Sequence, residues 1–396
     1  MATSKKIALA ATIVLVIAAI WYLDSLKASP GSNGNGAAPV TINVPAATSS
    51  LPSAASSSST LTLAELAAAD QAAGYQPAIE ITDPTGFINS SSSFRLANLV
   101  GKNVVLLDFW TYSCINCIRT IPYLTAWYAR YHADGLEIVG IHTPEFDFEK
   151  DYDNVQAAVR QFGINYPVVL DSDYGTWDAY GNQYWPHEYL IDLAGYIVHD
   201  QVGEGNYDET EQEIQKLLAQ RDEILGVAPA PMPSAPVVVA SSSIAGGIMS
   251  PETYFGAARN EYLGNGTPGQ AGEQSFDLPS SPGANTLYLG GPWSVGQQYA
   301  ETAGPAEVEY QYEAKGIYFV AGTASDTPIT AEVLRDGAPV PASAAGSDIF
   351  YQDGKSYVTV SANRLYRLVD DTAPGDHVLE LIIPSAGLQA YTFTFG

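Results

Sequence analysis

The sequence predicts an α/β domain followed by an all-β sandwich, with an apolar helix ahead of both. Residues 103–110 have the pattern of a buried strand, and apolar residues at helical spacing follow them. After residue 250 the chain changes to short alternating runs separated by glycine turns, which is typical of antiparallel strands. Residues 7–23 carry no charge and span about 25 Å as a helix, enough to cross a bilayer core.

The N-terminal segment, residues 1–28, predicts a transmembrane helix. Lys5 and Lys6 precede the apolar run, which places the N-terminus in the cytoplasm and the rest of the chain outside it. The residues after the run lack a clean Ala-x-Ala cleavage site, so a single-pass signal anchor in the cell membrane is favoured over a cleaved signal peptide. The expected location of the chain's body is therefore extracytoplasmic.

Residues 29–74 are rich in serine, glycine and alanine and predict a flexible tether, with a short helix at residues 63–73. The whole chain has 43 acidic and 17 basic residues and a net charge of −26. Because polyanions are repelled by so acidic a protein, and no extended basic patch is visible, nucleic acid is excluded as a partner.

The α/β domain is expected at residues 75–226. Strands are predicted where apolar runs lie between turn residues, and helices where apolar residues recur every three to four positions. The predicted strands lie at residues 78–82, 103–110, 136–142 and 166–170, and helices are predicted from residue 117 onward and at residues 154–162.

The only two cysteines, Cys114 and Cys117, form a CxxC pair where strand 103–110 is followed by a helix. A helix N-terminus favours the thiolate form of a cysteine, which makes Cys114 the candidate nucleophile. Cys117 lies one helical turn further on and can attack the mixed disulfide that Cys114 forms, releasing the reduced substrate. The pair predicts thiol–disulfide exchange with no cofactor besides its own redox-active disulfide.

Two other uses of a CxxC pair stay open. The pair is half of a common zinc site, but no second CxxC is present and only His142 and His187 offer to complete a site, so no metal is expected. A purely structural disulfide is the other use, although closing a two-residue loop removes little chain entropy.

The surroundings of the pair resemble the thioredoxin superfamily. Asp108 lies six residues before Cys114, where that family has a buried proton-accepting aspartate, and Pro122 matches its helix-kinking proline. The Trp185-Pro186 step resembles the family's cis-proline turn, which shapes the substrate groove. An ordinary strand-end acid is the alternative for Asp108. The resemblance implies the catalytic residues Cys114, Cys117, Asp108 and Pro186.

The predicted helix at residues 154–162 and the stretches FWTYSCINC and HTPEF resemble the TlpA-like branch, most closely the soluble C-terminal part of DipZ proteins. In that family the thioredoxin part is commonly fused to a CcdA-type electron transporter, whereas this sequence has a single apolar segment. The resemblance implies a reductase of protein disulfides that receives electrons from a separate CcdA-type membrane protein. Residues 115 and 116 leave the direction of electron flow open.

Six residues near the pair are candidate substrate contacts. His142 and Glu145 follow a buried strand at its C-terminal end, the edge where open α/β sheets place their sites, although a histidine there also caps turns. Trp110 is expected to be partly core. The candidates are Trp110, Tyr112, Trp185, His187, His142 and Glu145.

The proline-rich residues 227–249 predict an extended linker, and residues 250–396 a β-sandwich. Residues 250–396 again resemble the DipZ C-terminal module, whose jelly-roll fold is similar to that of a carbohydrate-binding module. The resemblance implies a cell-surface carbohydrate as a ligand. Candidate contacts are Tyr254, Trp293 and Tyr351, although such aromatic residues also fill sandwich cores. The predicted strands lie at residues 306–314, 316–321, 329–335, 356–360, 365–369, 377–383 and 390–395.

Two further functional classes fit the sequence. One is a cell-surface binding protein in which the thioredoxin part is only a scaffold. The other is a thiol peroxidase, which needs a peroxide-reactive cysteine that forms a sulfenic acid. The second thiol of a CxxC pair would quench that acid at once, which favours exchange between thiols and disulfides.

Overall fold

The computed structural model describes residues 61–229, 235–239, 250–325 and 327–396. The predicted membrane anchor and most of the predicted tether lie outside these residues. Within the described ranges, no helix is both long and apolar enough to cross a membrane. The α-helices described are α1 (Leu63–Ala73), α2 (Ile115–Tyr131), α3 (Tyr152–Gln161), α4 (Gly175–Tyr180) and α5 (Tyr207–Leu225).

The first domain contains a mixed sheet with the strand order β1-β7-β6-β3-β4-β5-β2. The central strands β3, β4 and β5 run parallel, while β6 lies antiparallel to β3 on the other side. The strands are β1 (Gln76–Pro77), β2 (Gly86–Ile88), β3 (Val104–Trp110), β4 (Leu136–His142), β5 (Val168–Leu170), β6 (His187–Ile191) and β7 (Tyr196–Val202).

Every residue of β3 and β4 is buried, because both faces of the sheet are covered. Leu106 and Trp110 point into one core, which α2, α3 and α5 complete. Leu107 and Phe109 point into the other, together with Trp177 of α4. A central strand covered on both faces is mostly apolar rather than alternating, which is why the positions of β3 and β4 could be predicted from the sequence.

The predicted strand at residues 78–82 is wrong, because β1 ends at Pro77. Beyond Ala78, backbone N–H groups of this segment donate to side chains instead of to a neighbouring strand. The Ile79 N–H donates to the Tyr180 hydroxyl, and the Thr82 N–H donates to Thr176 Oγ1. Because these acceptors belong to distant residues, the apolar pattern of residues 78–82 gives no sign of them.

The described part of the predicted linker packs on the first domain. Val237 is buried in the core beside α2 and α5, and its N–H donates to the Glu211 carboxylate at 2.6 Å. Arg130 donates to the Ala235 carbonyl at 3.1 Å. Residues 235–239 are therefore held against the first domain.

The second domain is all-β, and its strands pair antiparallel. Its buried side chains form one hydrophobic core, which includes residues from both ends of the two longest strands. The strands are β8 (Thr253–Tyr254), β9 (Gly272–Phe276), β10 (Leu287–Val295), β11 (Ala300–Thr302), β12 (Ala306–Thr323), β13 (Ile329–Arg335), β14 (Ala338–Pro339), β15 (Ile349–Gln352), β16 (Lys355–Val360), β17 (Arg364–Ile383) and β18 (Leu388–Phe395).

Two pairs of predicted strands are each one long strand in the structure. Residues 306–314 and 316–321 join in β12, and residues 365–369 and 377–383 join in β17. The register of β12 against β17 shifts between Ala314 and Gly316. The β17 partners of Ala314 and Gly316 are Gly375 and Asp370, so residues 371–374 form an irregularity in the pairing that ends neither strand.

Candidate active site

The two cysteines occupy different environments at the start of α2. Cys114 is the residue before the helix, and its Sγ accepts a hydrogen bond from the Cys117 N–H at 3.3 Å. The Cys114 side chain is half-buried, whereas Cys117 is 1% exposed. Burial raises the pKa of the Cys117 thiol, and the neighbouring Cys114 and Asp108 raise it further. Only Cys114 is therefore accessible to a large substrate.

Asp108 lies in the buried middle of β3, below the dithiol. Its carboxyl group is 1% exposed, and burial raises its pKa to about 8. A carboxyl group with so high a pKa can accept and return a proton near neutral pH. Its position therefore suits proton transfer with the buried Cys117 thiol.

The cis-proline turn lies against the exposed cysteine. The Trp185-Pro186 peptide bond is cis, as predicted. The Cys114 thiol lies 3.9 Å from the Trp185 carbonyl oxygen. The Trp185 indole N–H in turn donates to the Thr143 carbonyl at 3.0 Å, which ties the turn to the segment after β4.

Comparison with known proteins agrees with this geometry. Residues 76–200 match a family model described as the AhpC/TSA family, and residues 250–396 match one described as a thioredoxin-like C-terminal domain. The thiol–disulfide oxidoreductase ResA of Bacillus thuringiensis is 30% identical over 141 residues, which cover 36% of this chain and 75% of ResA. The chain belongs to the thioredoxin-like thiol–disulfide oxidoreductases.

A longer similarity extends into the second domain. Protein DipZ of Mycobacterium bovis is 39% identical over 315 residues, which cover 79% of this chain. This chain spans 42% of the length of DipZ. The thiol–disulfide oxidoreductase YkuV of Bacillus subtilis is 27% identical over 147 residues, 37% of this chain and 97% of YkuV.

Four of the predicted substrate contacts are buried in the thioredoxin-like domain. Trp110 and His142 are fully buried, and burial lowers the pKa of His142 to about 3, so its ring is neutral. Tyr112 stacks on His142 and its hydroxyl donates to the Asn363 carbonyl of the second domain at 3.4 Å. His187 bonds Asn182. All four side chains are buried, so their prediction as surface contacts is wrong: Trp110 and His142 are packed in the interior, and Tyr112 and His187 are occupied by hydrogen bonds within the molecule.

Trp185 and Glu145 do line the groove at Cys114, and the second domain supplies its opposite wall. The groove has a volume of about 280 Å³. Arg259 pairs with Glu145 at 2.7 Å, and the Tyr254 hydroxyl donates to the same carboxylate at 2.7 Å. The Arg259 guanidinium also stacks over the Tyr254 ring at 3.7 Å. The groove therefore belongs to both domains.

An apolar interface holds the two domains together beside the dithiol. Tyr391 of β18 packs on Phe146 and Phe148, with ring centroids 5.0 and 4.8 Å apart. Ile115, which lies between the two cysteines, is buried in the same cluster. Since the residue after Cys114 is packed on the second domain, that domain positions the start of α2.

Glu149 anchors the loop that carries Cys114. This carboxylate is fully buried and accepts hydrogen bonds from Ser113 Oγ at 2.6 Å and from the Glu145 N–H at 2.6 Å. It thereby joins the residue before Cys114 to the segment that forms the interface.

Sequence reasoning missed Glu188. It lies on β6 directly opposite Asp108, is 3% exposed, and has a pKa raised by burial and by Asp108. The sequence feature that could have indicated Glu188 is its position: it is an acid two residues after Pro186, in a strand that is otherwise mostly apolar.

The three predicted carbohydrate contacts, Trp293, Tyr254 and Tyr351, differ in how accessible they are. Trp293 is fully buried, with its indole N–H donating to the Gly290 carbonyl, so its prediction as a surface contact is wrong. Tyr254 is held in the groove by Glu145 rather than lying on an open face. Tyr351 is exposed on β15, and its hydroxyl donates to the Val340 carbonyl at 2.7 Å.

Proposed function

We propose that the chain is a membrane-anchored, extracytoplasmic disulfide reductase that acts on protein substrates. The asymmetry of the dithiol carries this proposal: Cys114 is accessible beside the cis-proline turn, and Cys117 is buried beneath it. An exposed attacking thiol and a shielded resolving thiol are the two parts that disulfide exchange through a mixed disulfide needs.

The reaction has two exchange steps. The Cys114 thiolate attacks a substrate disulfide, a bond forms between Cys114 and one substrate sulfur, and the other substrate sulfur leaves as a thiolate that takes up a proton. Cys117 then gives its proton to Asp108 and attacks Cys114. The Cys114–Cys117 disulfide forms, the first substrate sulfur leaves as a thiolate, and Asp108 returns the proton. Two electrons pass from the dithiol to the substrate.

The shape of the groove favours a substrate cysteine on an extended segment. Trp185 and Cys114 form one side, and Tyr254 and Arg259 of the second domain form the other. A segment inserted between these sides can run along the cis-proline turn, whereas a disulfide inside a folded core cannot reach Cys114.

The electron donor and the location are proposed from the sequence. The paired lysines ahead of the apolar residues 7–23 support a single-pass anchor with the body outside the cytoplasm. A reductant in an oxidising compartment needs a supply of electrons. We propose a separate CcdA-type membrane protein as that supply.

We also propose that the all-β domain has a jelly-roll architecture and that its role is to bind carbohydrate. Phe350 and Tyr351 are exposed neighbours on β15, and Phe350 stacks on Tyr357 at 5.7 Å. Exposed rings of this kind can stack on the apolar face of a sugar. Binding of cell-wall polysaccharide that is lost in Tyr351→Ala and kept in Trp293→Phe would support this role, and equal loss in both would oppose it.

The reduction potential of the Cys114–Cys117 pair tests the main proposal. The full chain is equilibrated with dithiothreitol or glutathione buffers and its free thiols are trapped. A value near about −270 mV supports a reductase, and one near about −120 mV indicates an oxidase instead. Cys114→Ser should abolish insulin reduction while the exposed Asp173→Asn retains it. A wild-type chain without exchange activity would favour the scaffold alternative.

A further inference from the structure

Asp108 and Glu188 form a buried pair of carboxyl groups. They are directly opposed in the antiparallel register of β3 and β6, so their side chains leave the same face of the sheet. Asp108 Oδ1 and Glu188 Oε2 are both buried without a hydrogen-bond partner. Among the described residues, neither carboxyl group takes part in an ion pair.

The other titratable groups around this pair bring no positive charge to it. Cys117 of α2 interacts electrostatically with Asp108, and the buried Tyr166 hydroxyl interacts with Asp108, Glu188 and Cys117. Tyr207 of α5 interacts with Glu188 and also with Glu204. Glu204 is itself neutralised by Arg119 at 2.8 Å. The surroundings of the pair are therefore neutral or acidic.

Two adjacent carboxyl groups in such surroundings cannot both ionise near neutral pH. Removal from water disfavours each charge, and the first charge disfavours the second. Such groups lose their protons in two steps that belong to the pair rather than to either residue. When one carboxyl ionises, the other keeps its proton.

We propose that Glu188 is a positioning residue of the resolving step: it keeps one proton within the Asp108–Glu188 pair while Asp108 accepts the proton of Cys117. The proposal rests on the thiol–disulfide exchange proposed above. In the step, the Cys117 S–H proton moves to ionised Asp108, the Cys114–Cys117 bond forms, and the substrate sulfur leaves. Glu188 stays protonated throughout, so no second carboxylate opposes the Cys117 thiolate.

The same arrangement gives Glu188 a second capability. When Asp108 is replaced by asparagine, Glu188 no longer faces another acid and can itself ionise. It then lies on the same face of the sheet to accept the Cys117 proton. Removal of both acids leaves the buried Cys117 thiol without either carboxylate to accept its proton.

The test measures the resolving step in single turnover. A small thiol is attached to Cys114 of the full chain, and its release is followed between pH 5 and 10. The wild type should show two ionisation steps and Glu188→Gln only one. Because general acid–base catalysis is worth about 10²- to 10⁴-fold, we expect release to slow about 10-fold in Asp108→Asn and about 100-fold or more in the double variant. The loss in the double variant should exceed the product of the losses in the two single variants.

Glu137→Gln is the matched control. Glu137 is also buried, but it pairs with Val105 of β3, three residues before Asp108. It should keep the wild-type profile. Two ionisation steps retained in Glu188→Gln, or a double-variant loss equal to the product of the single losses, would overturn the proposal.

A second measurement needs no variant to fold. Carboxyl ¹³C signals of the wild-type chain are titrated by NMR. Asp108 and Glu188 should respond at two shared pH values, whereas an independent single step of Glu188 below about pH 5 would refute the pairing. Failure of the wild type to release the thiol would instead contradict the proposed exchange function, so the two failures are distinguishable.

Discussion

Glu145 of the thioredoxin-like domain and Arg259 of the all-β domain form an ion pair, 2.7 Å long, in the groove that contains Cys114. Glu145 is nearly buried, while Arg259 keeps part of its surface in solvent. A contact between the domains thus lies within reach of the substrate. The second domain takes part in the site as a wall rather than as a distant appendage.

Arg259→Ala should weaken the use of protein substrates more than that of small disulfides. Loss of the guanidinium loosens the wall and leaves Glu145 without its cation, at a cost of about 1 kcal/mol for a partly exposed pair. We expect KM for a protein disulfide to rise about fivefold, with little change for a small aromatic disulfide. Lys355→Ala, which breaks the Lys355–Glu332 pair elsewhere in the second domain, is the control. Equal losses on both substrates would contradict a role in substrate binding.

Cys117→Ser should accumulate a mixed disulfide between Cys114 and the substrate. The first attack requires only the accessible thiol, while release requires the buried one. Mass spectrometry of the full chain after exposure to a protein disulfide should show a covalent adduct that dithiothreitol removes. The Cys114→Ser variant should form no adduct. An adduct on Cys117 of Cys114→Ser, in the same yield as that on Cys114 of Cys117→Ser, would contradict the assigned roles.

Asp108→Asn should stabilise the chain at alkaline pH. Burial raises the pKa of Asp108 to about 8, above its value in the unfolded chain, so the folded state retains a proton that the unfolded state has lost. The stability from the protonated carboxyl is full below about pH 4 and is lost as the pH rises through about 8. The variant should therefore match the wild type at pH 4 and exceed it at pH 9, by less than roughly 5 kcal/mol because Glu188 can ionise once Asp108 is replaced.

Urea unfolding at pH 4, 7 and 9 checks this prediction. Asp173→Asn, at an exposed position of the same domain, should follow the wild type at every pH. A wild-type chain whose unfolding free energy does not fall relative to Asp108→Asn between pH 7 and pH 9 would exclude the raised pKa.

Tyr391→Ala should uncouple the two domains. Its ring is nearly buried against Phe146 and Phe148, and loss of a large buried aromatic side chain costs about 3 to 5 kcal/mol. Calorimetry should resolve two transitions, and kcat for protein substrates should fall because Ile115 loses its support beside Cys114. Tyr351→Ala, at an exposed tyrosine that loses only one hydrogen bond, should destabilise the chain much less and leave a single transition. A single unshifted transition in Tyr391→Ala would show that the interface contributes little.

The strands β3 and β4 and the helix α1 were predictable because their signals are local. Two mostly apolar runs indicated β3 and β4, and α1 has its own capping box of Thr62 and Glu65. The strand expected at residues 78–82 failed because its backbone partners are the side chains of Tyr180 and Thr176, about a hundred positions away. Local pattern carries no information about such partners.

The chemistry of the site could be predicted from short stretches of the sequence. Its two cysteines, their spacing, Asp108 and the Trp185-Pro186 step indicate thiol–disulfide exchange before any fold is known, because strand, helix start and proline turn are short-range features. Which groups lie together became visible in the folded chain. Trp110, His142 and Trp293 lie in the interior, Glu188 lies opposite Asp108, and Arg259 lines the same groove as Cys114. Strand register and domain packing join residues far apart in sequence, so no local pattern records them.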